Sequence, residues 1–244
     1  MIKAITFDLW NTLFKNISYT DRRKGLIKRF SEKNGFEISD AELTQVYNRS
    51  FNFLNPPFKT TQFKHIYTST RIKNMFDELK IDLKLEERKE LIKNFEVLML
   101  ANPPTLKKGV FDTLSSLSID FRIGLISDTG ITPGRIIKEV LKDYNILDYF
   151  DVTVFSDETG FYKPHPIAFK TALSKLDCSP KNAIHVGDLL DTDIKGAIGY
   201  EMHSIWIRDD LAQNHSSIVP DYEISEIPEI LDIIEKLNLK KSNL

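Results

Sequence analysis

From Val110 to Ile207 the sequence alternates amphipathic helical stretches with short apolar runs of strand character, and this rhythm limits the fold more than any other feature. The helical stretch Val110–Leu117 leads to Arg122-Ile123-Gly124-Leu125-Ile126, and Arg135–Tyr144 leads to Asp151-Val152-Thr153-Val154-Phe155. Pro166–Leu176 then leads to Ala183-Ile184-His185-Val186, and Asp193–Ile198 to Ser204-Ile205-Trp206-Ile207. Strands joined through helices pair in parallel by right-handed crossovers, with helices on both faces of the sheet. The opening segment Ile2–Asp8 has the same strand character and joins that sheet from far away in sequence.

Between these parts, from Lys15 to Ala101, the chain shows helical periodicity and no convincing strand pattern. Leu26, Ile27 and Phe30 fall on one candidate helix. Ser39-Asp40-Ala41-Glu42 has the form of a capping box and introduces Leu43, Val46 and Tyr47. Further helical patterns span Phe63–Leu79 and Leu85–Leu100, with Asn55-Pro56-Pro57 breaking the chain between elements, so about four helices are predicted. Asn102-Pro103-Pro104 marks the far boundary. The predicted organisation is an α/β core built from residues 1–14 and 105–244, enclosing a helical domain of residues 15–104. A last helix is predicted around Pro228–Leu237, with Lys240–Leu244 frayed.

Composition narrows the function classes. The 244 residues carry a formal charge of -2, which gives no support for binding nucleic acid or an anionic membrane. The single Cys178 excludes an intramolecular disulfide framework and a cysteine-based zinc site, and it suits a reducing compartment. No signal segment precedes the first strand and no apolar run approaches membrane-spanning length. A soluble cytoplasmic protein is expected, with its oligomeric state left open.

The polar residues at the ends of these strands carry the chemistry. Asp8 ends the first, Ser127 ends the second with Asp128-Thr129-Gly130 behind it, and Gly187-Asp188 ends the fourth with Asp191 and Asp193 close after. Lys163 lies in Gly160-Phe161-Tyr162-Lys163-Pro164-His165-Pro166, just ahead of a helix. If the strands are adjacent and parallel, Asp8, Ser127, Lys163 and Asp188 meet at the edge where open α/β sheets place their ligands. Asp8 there is either a covalent nucleophile or a strand-ending turn cap. Ser127 can serve an anion, a helix N-terminus, or both. Asp191 reads as a helix-terminal acid. Asp8, Asp188 and Asp193 packed together would repel strongly without a cation, and magnesium suits such a set of carboxylates.

On these residues the chain resembles the haloacid dehalogenase-like (HAD) hydrolase superfamily, with all four motifs in order and an insertion similar to the C1-type helical cap. The resemblance implies a HAD-like Rossmannoid core, a parallel sheet between helices, with an inserted all-helical cap domain. It further implies that Asp8 attacks an electrophilic phosphorus or carbon, while Thr12, Ser127, Asp128 and Lys163 bind the phosphoryl group. Lys163 would offset the charge of Asp8 and substrate as a compact ammonium. Asp8, the Trp10 main-chain carbonyl and Asp188 would bind Mg2+, with Asp193 supporting them from behind. The substrate expected is a small phosphorylated metabolite, which the motifs do not specify further.

Trp10 departs from this pattern. Family phosphatases usually carry there an aspartate that protonates the leaving alkoxide and later activates water, which an indole cannot do. The carbonyl survives the exchange, so metal binding is expected to persist while turnover suffers. Three readings follow: a magnesium-dependent phosphatase, a 2-haloacid dehalogenase, and a non-catalytic or very slow binder of phosphorylated ligands. Halide is a good leaving group and needs no acid, but dehalogenases of the family resemble one another in a metal-free fourth motif unlike Gly187-Asp188. Of the histidines, His185 is expected to be a core residue, His165 stands where an acidic residue is frequent in the family, and His65 and Tyr67 are placed on a cap helix. Cys178 shows no sign of reactivity.

Overall fold

The computed structural model describes residues 1–51, 63–208 and 217–242, in which six strands form one fully parallel sheet ordered β3-β2-β1-β4-β5-β6. β1 (Ala4–Phe7) opens the chain. Four helices follow, α1 (Thr20–Lys33), α2 (Asp40–Phe51), α3 (Thr68–Glu78) and α4 (Leu85–Glu96). The alternating part then runs α5 (Val110–Leu117), β2 (Arg122–Ser127), α6 (Gly134–Asp143), β3 (Val152–Phe155), α7 (Ser156–Thr159) and α8 (Pro166–Lys175). It closes with β4 (Ala183–Gly187), α9 (Lys195–Gly199), β5 (His203–Ile207), β6 (Tyr222–Ile224) and α10 (Ile230–Ser242).

The two-residue alternation along β1 builds both faces of the sheet. Ile5 and Phe7 point into an apolar cluster with Leu114 of α5, Val140 of α6 and Ile230 of α10. Ala4 faces the opposite cluster, where Phe169 and Leu173 of α8 and Ala197 of α9 cover the sheet. A strand buried on both sides needs a near-continuous apolar run, and Ala4-Ile5-Thr6-Phe7 is fully buried. β1 pairs with β2 on one side and β4 on the other, so the chain order reverses at its C-terminal end. Doubly wound sheets open a crevice at such a point, and Asp8 is the next residue.

The inserted helices have a centre of their own. Ile27, Phe30, Leu43, Val46, Ile72, Met75, Leu91 and Phe95 form one apolar cluster, to which the α/β part contributes only Ile131 among its buried members. Ser39 caps α2 as its spacing predicts, its hydroxyl accepting from the Glu42 N–H at 3.2 Å. The Asn55-Pro56-Pro57 break lies outside the described residues. No helix among the described residues is long and apolar enough to cross a membrane.

Three local expectations are corrected. The helical pattern over Phe63–Leu79 overreaches at its start, because α3 begins only at Thr68 and Lys64 forms an antiparallel bridge with Phe161. β6, three residues long, carries no legible period and went unpredicted. The terminal helix continues to Ser242 rather than fraying from Lys240, and residues 243–244 lie outside the description.

Candidate active site

Asp8 is anchored first by its backbone, whose N–H donates to the Val186 carbonyl of β4 at 2.8 Å. Its carboxylate is buried and accepts from Lys163 Nζ at 2.5 Å. The same ammonium donates to the Ile126 carbonyl at 2.9 Å and pairs with Asp193 Oδ1 at 2.6 Å. Lys163 reaches this point from the turn ahead of α8, where its own N–H donates to the Asp128 carboxylate at 3.0 and 3.2 Å. The Asp128 side chain is therefore engaged in holding the lysine turn.

Asp193 sits on the wide turn Leu190–Ile194 after β4, with one oxygen accepting from the Leu189 N–H at 3.0 Å. Gly187 makes this approach possible: a Cβ there would fall 2.4 Å from the Asp193 side chain. Asp188, half-buried, accepts from Asn11 Nδ2 at 3.2 Å, and its carbonyl accepts from the Trp206 indole N–H at 2.8 Å. Oxygens of Asp8, Asp188 and Asp193 all lie within 4.8 Å of one another. Asp191 is exposed and stands outside this group.

Burial and the charge count together set the titration behaviour. Three carboxylates face one ammonium. Burial, with Asp193 adding to it, pushes Asp8 up to about 6 against the pull of Lys163. Burial and then Asp8 and Asp193 push Asp188 up to about 8. Burial also carries Asp128 to about 7 despite Lys163. Burial acts against Asp193 as well, but Lys163 and His185 outweigh it and hold its carboxyl below the ordinary range. Burial opposes the Lys163 charge too, and Asp193, Asp8 and Asp128 overcome it and raise its pKa.

An all-oxygen set this close suits a hard divalent cation. Two net negative charges remain after Lys163 is counted, which is the charge such an ion cancels. At the same edge of the sheet the Thr12 and Ser127 hydroxyls are buried without a hydrogen-bond partner among the described residues. Buried hydroxyls are ordinarily paired, and both stand free to donate to an anion beside Asp8. Trp10 lies in the turn between Asp8 and Thr12 and is half-buried, packed against the main apolar cluster.

Several residues were not legible beforehand. Asn11 adopts φ 55°, a left-handed turn that asparagine tolerates, and that turn carries its amide to Asp188. His165 caps α8, its Nδ1 accepting from the Ile167 N–H at 3.3 Å, and stacks on Phe161. His185 is buried as expected, but it lies 3.5 Å from Asp193 and bonds Thr6 Oγ1 at 2.9 Å. His65 and Tyr67 precede α3 rather than lying on it. Burial lowers His65 to about 4, and its Nδ1 contacts Ser156 Oγ at 3.1 Å. Beside it a cavity of about 190 Å³ opens between the helical insertion and the β2–α6 loop, lined by Thr68, Glu96, Thr129, Thr132 and Asp157 among others.

A sequence model of haloacid dehalogenase-like hydrolases matches residues 2–199. The chain belongs to this family. The HAD-like chain is 35% identical over 135 residues to the glyceraldehyde 3-phosphate phosphatase of Methanopyrus kandleri, covering 52% of this chain and 56% of that one. With the Pyrococcus furiosus protein of the same name it shares 36% over 114 residues, so it spans about half the length of each of these two relatives. With that of Methanocaldococcus jannaschii the match runs over 99% of this chain and all of the relative, at 29% identity. The fold is shared with a HAD phosphatase from Thermococcus onnurineus (TM-score 0.68, 22% identity, 96% of this chain and 98% of that one). It is also shared with a 2-haloacid dehalogenase from Pseudomonas syringae (TM-score 0.75, 23%, 97% of this chain and all of that one).

The raised carboxyls of this HAD-like chain fix the sign of a pH effect. A group whose folded pKa exceeds its unfolded value, near 4, stabilises fully below that value, and the contribution is lost as pH rises through the folded pKa. Asp193, held low, acts in the opposite sense only below about pH 4. In chelator, thermal stability is therefore expected to fall between about pH 5 and pH 8, and Asp188→Asn to flatten the slope. Melting curves across that range check this.

Proposed function

We propose that the protein is a magnesium-dependent phosphatase of small phosphorylated metabolites, with Asp8 as covalent nucleophile. The observation that carries this reading is the Asp8 carboxylate, held at the sheet's switch point 2.5 Å from the Lys163 ammonium and grouped with Asp188 and Asp193. Asp8 would attack phosphorus in line, forming an Oδ–P bond as the ester P–O bond breaks and the alkoxide departs. Water would then attack the same phosphorus, release inorganic phosphate and restore the carboxylate. Lys163 neutralises charge on Asp8 and the phosphoryl oxygens, and Thr12 and Ser127 donate hydrogen bonds to those oxygens. Asp8, Asp188 and the Trp10 carbonyl would hold Mg2+, with Asp193 behind them. When bound, the ion neutralises phosphoryl charge and orients the phosphate.

Residues 1–14 and 105–244 form the catalytic core in this reading, and residues 15–104 form a cap that shields the crevice. The cavity lining combines hydroxyls, a neutral imidazole and two carboxylates, with no lysine or arginine among the described residues. An uncharged, hydroxyl-bearing leaving group suits it better than a carboxylate. That fits the activity for which the archaeal relatives are named. The charge balance and the reducing character of the composition accord with a cytoplasmic enzyme acting on soluble metabolites.

Trp10 favours substrates whose alkoxide leaves without proton help, because the usual general acid is missing. The same feature supports a haloacid dehalogenase as second reading, and metal dependence separates the two. Asp8→Asn is expected to reduce magnesium-dependent phosphate release by at least about 10³-fold, measured on a panel of phosphate esters, acyl phosphates and haloacids. Phosphatase activity intact in that variant, or halide release in chelator, overturns the reading. Trp10→Asp is expected to raise turnover of unactivated alkyl phosphates by about 10²-fold, at the low end of what general acid catalysis supplies.

A further inference from the structure

Residues 63–67, ahead of α3, reach the core beside Lys163. The Tyr162 N–H donates to the Phe63 carbonyl at 2.7 Å, and the His65 N–H donates to the Gly160 carbonyl at 2.9 Å. The Tyr162 hydroxyl accepts twice from the helical region, from the Ile66 N–H at 3.2 Å and from Arg71 Nη2 at 3.2 Å. Arg71 is one of the largest fully buried side chains in the molecule, and its other nitrogens donate to the Ile66 and Ser50 carbonyls at 3.1 and 3.2 Å. The Tyr162 carbonyl accepts from the His165 N–H at 3.0 Å, which closes the turn that carries Lys163. Backbone, carbonyl, hydroxyl and ring of Tyr162 are thus all held, the ring against His65 at 4.9 Å.

We propose that Tyr162 is a positioning residue for Lys163: the Arg71–Tyr162 junction makes docking of the helical insertion and placement of the lysine one event. The inference rests on the role proposed for Lys163 at Asp8. The lysine turn has two supports, the Asp128 carboxylate from the core side and the Tyr162 junction from the inserted side. Removing the second loosens the backbone from which the ammonium reaches Asp8, Asp193 and the Ile126 carbonyl. A shift on the order of 1 Å in a positioning group costs about 10²-fold in rate.

The test is Tyr162→Phe, which keeps the ring and removes only the acceptor. In the magnesium-loaded enzyme kcat is expected to fall about tenfold or more with KM little changed. In a Lys163→Arg background, where the lysine geometry is already lost, the same substitution is expected to cost under about threefold, because groups acting as a unit are non-additive. Hydrogen exchange supplies a readout independent of turnover. The Lys163 amide, bonded to Asp128, is expected to exchange at least about tenfold faster in Tyr162→Phe, together with segment 63–71. An unchanged kcat, an equal loss in both backgrounds, or faster exchange confined to 63–71 overturns the proposal and leaves Tyr162 a purely structural contact. If the wild type shows no Asp8-dependent turnover, the proposed function fails, and exchange at Lys163 alone decides the coupling.

Discussion

The Lys163 ammonium is the interaction on which the rest depends. It is buried, pairs with Asp8 and Asp193 at 2.5 and 2.6 Å, and bonds the Ile126 carbonyl at the end of β2. Three segments distant in sequence meet on that one nitrogen. Removing one partner from a buried ion cluster is far costlier than forming the cluster is favourable. The lysine therefore fixes where β1, the turn before α8 and the turn after β4 sit relative to one another. The cluster still lacks charge balance, and its like charges add to the burial that chiefly pushes Asp8 and Asp188 up.

That imbalance links fold to chemistry. A doubly wound sheet brings the C-terminal ends of β1, β2 and β4 side by side, and each delivers a polar residue there. Catalysis of phosphoryl transfer requires mostly positioning and charge stabilisation, which in the proposed function a lysine, two hydroxyls and an acidic pocket for a divalent ion would provide. The missing part is an acid at Trp10. The indole packs instead against the apolar cluster, so the turn after β1 gains burial where the sequence resemblance implies a proton donor.

Much of this was legible in the sequence because local patterns dictate it. Asp8, Ser127 and Asp188 each end an apolar strand, and Gly187 marks the close approach that Asp193 needs. Lys163 was legible from its KPHP turn. The same rules failed where long-range contacts decide. Residues 63–67 have helical periodicity, yet they are drawn out by backbone bonds to Gly160 and Tyr162, which leave no local signature. Asn11 and Trp206 act on Asp188 through a left-handed turn and a neighbouring strand, and neither relation has a spacing rule. That the Asp128 carboxylate accepts from the Lys163 N–H and so holds the lysine turn has no spacing rule either.

In the proposed mechanism Asp8 carries the phosphoryl group between substrate and water. Mass spectrometry of enzyme quenched in acid during magnesium-supported turnover tests this directly, since an acyl phosphate survives the quench. A phosphoryl group is expected on the peptide containing Asp8, lost in chelator and in Asp8→Asn. Steady release of phosphate with that peptide unmodified, or with the phosphoryl group on another residue, would contradict it.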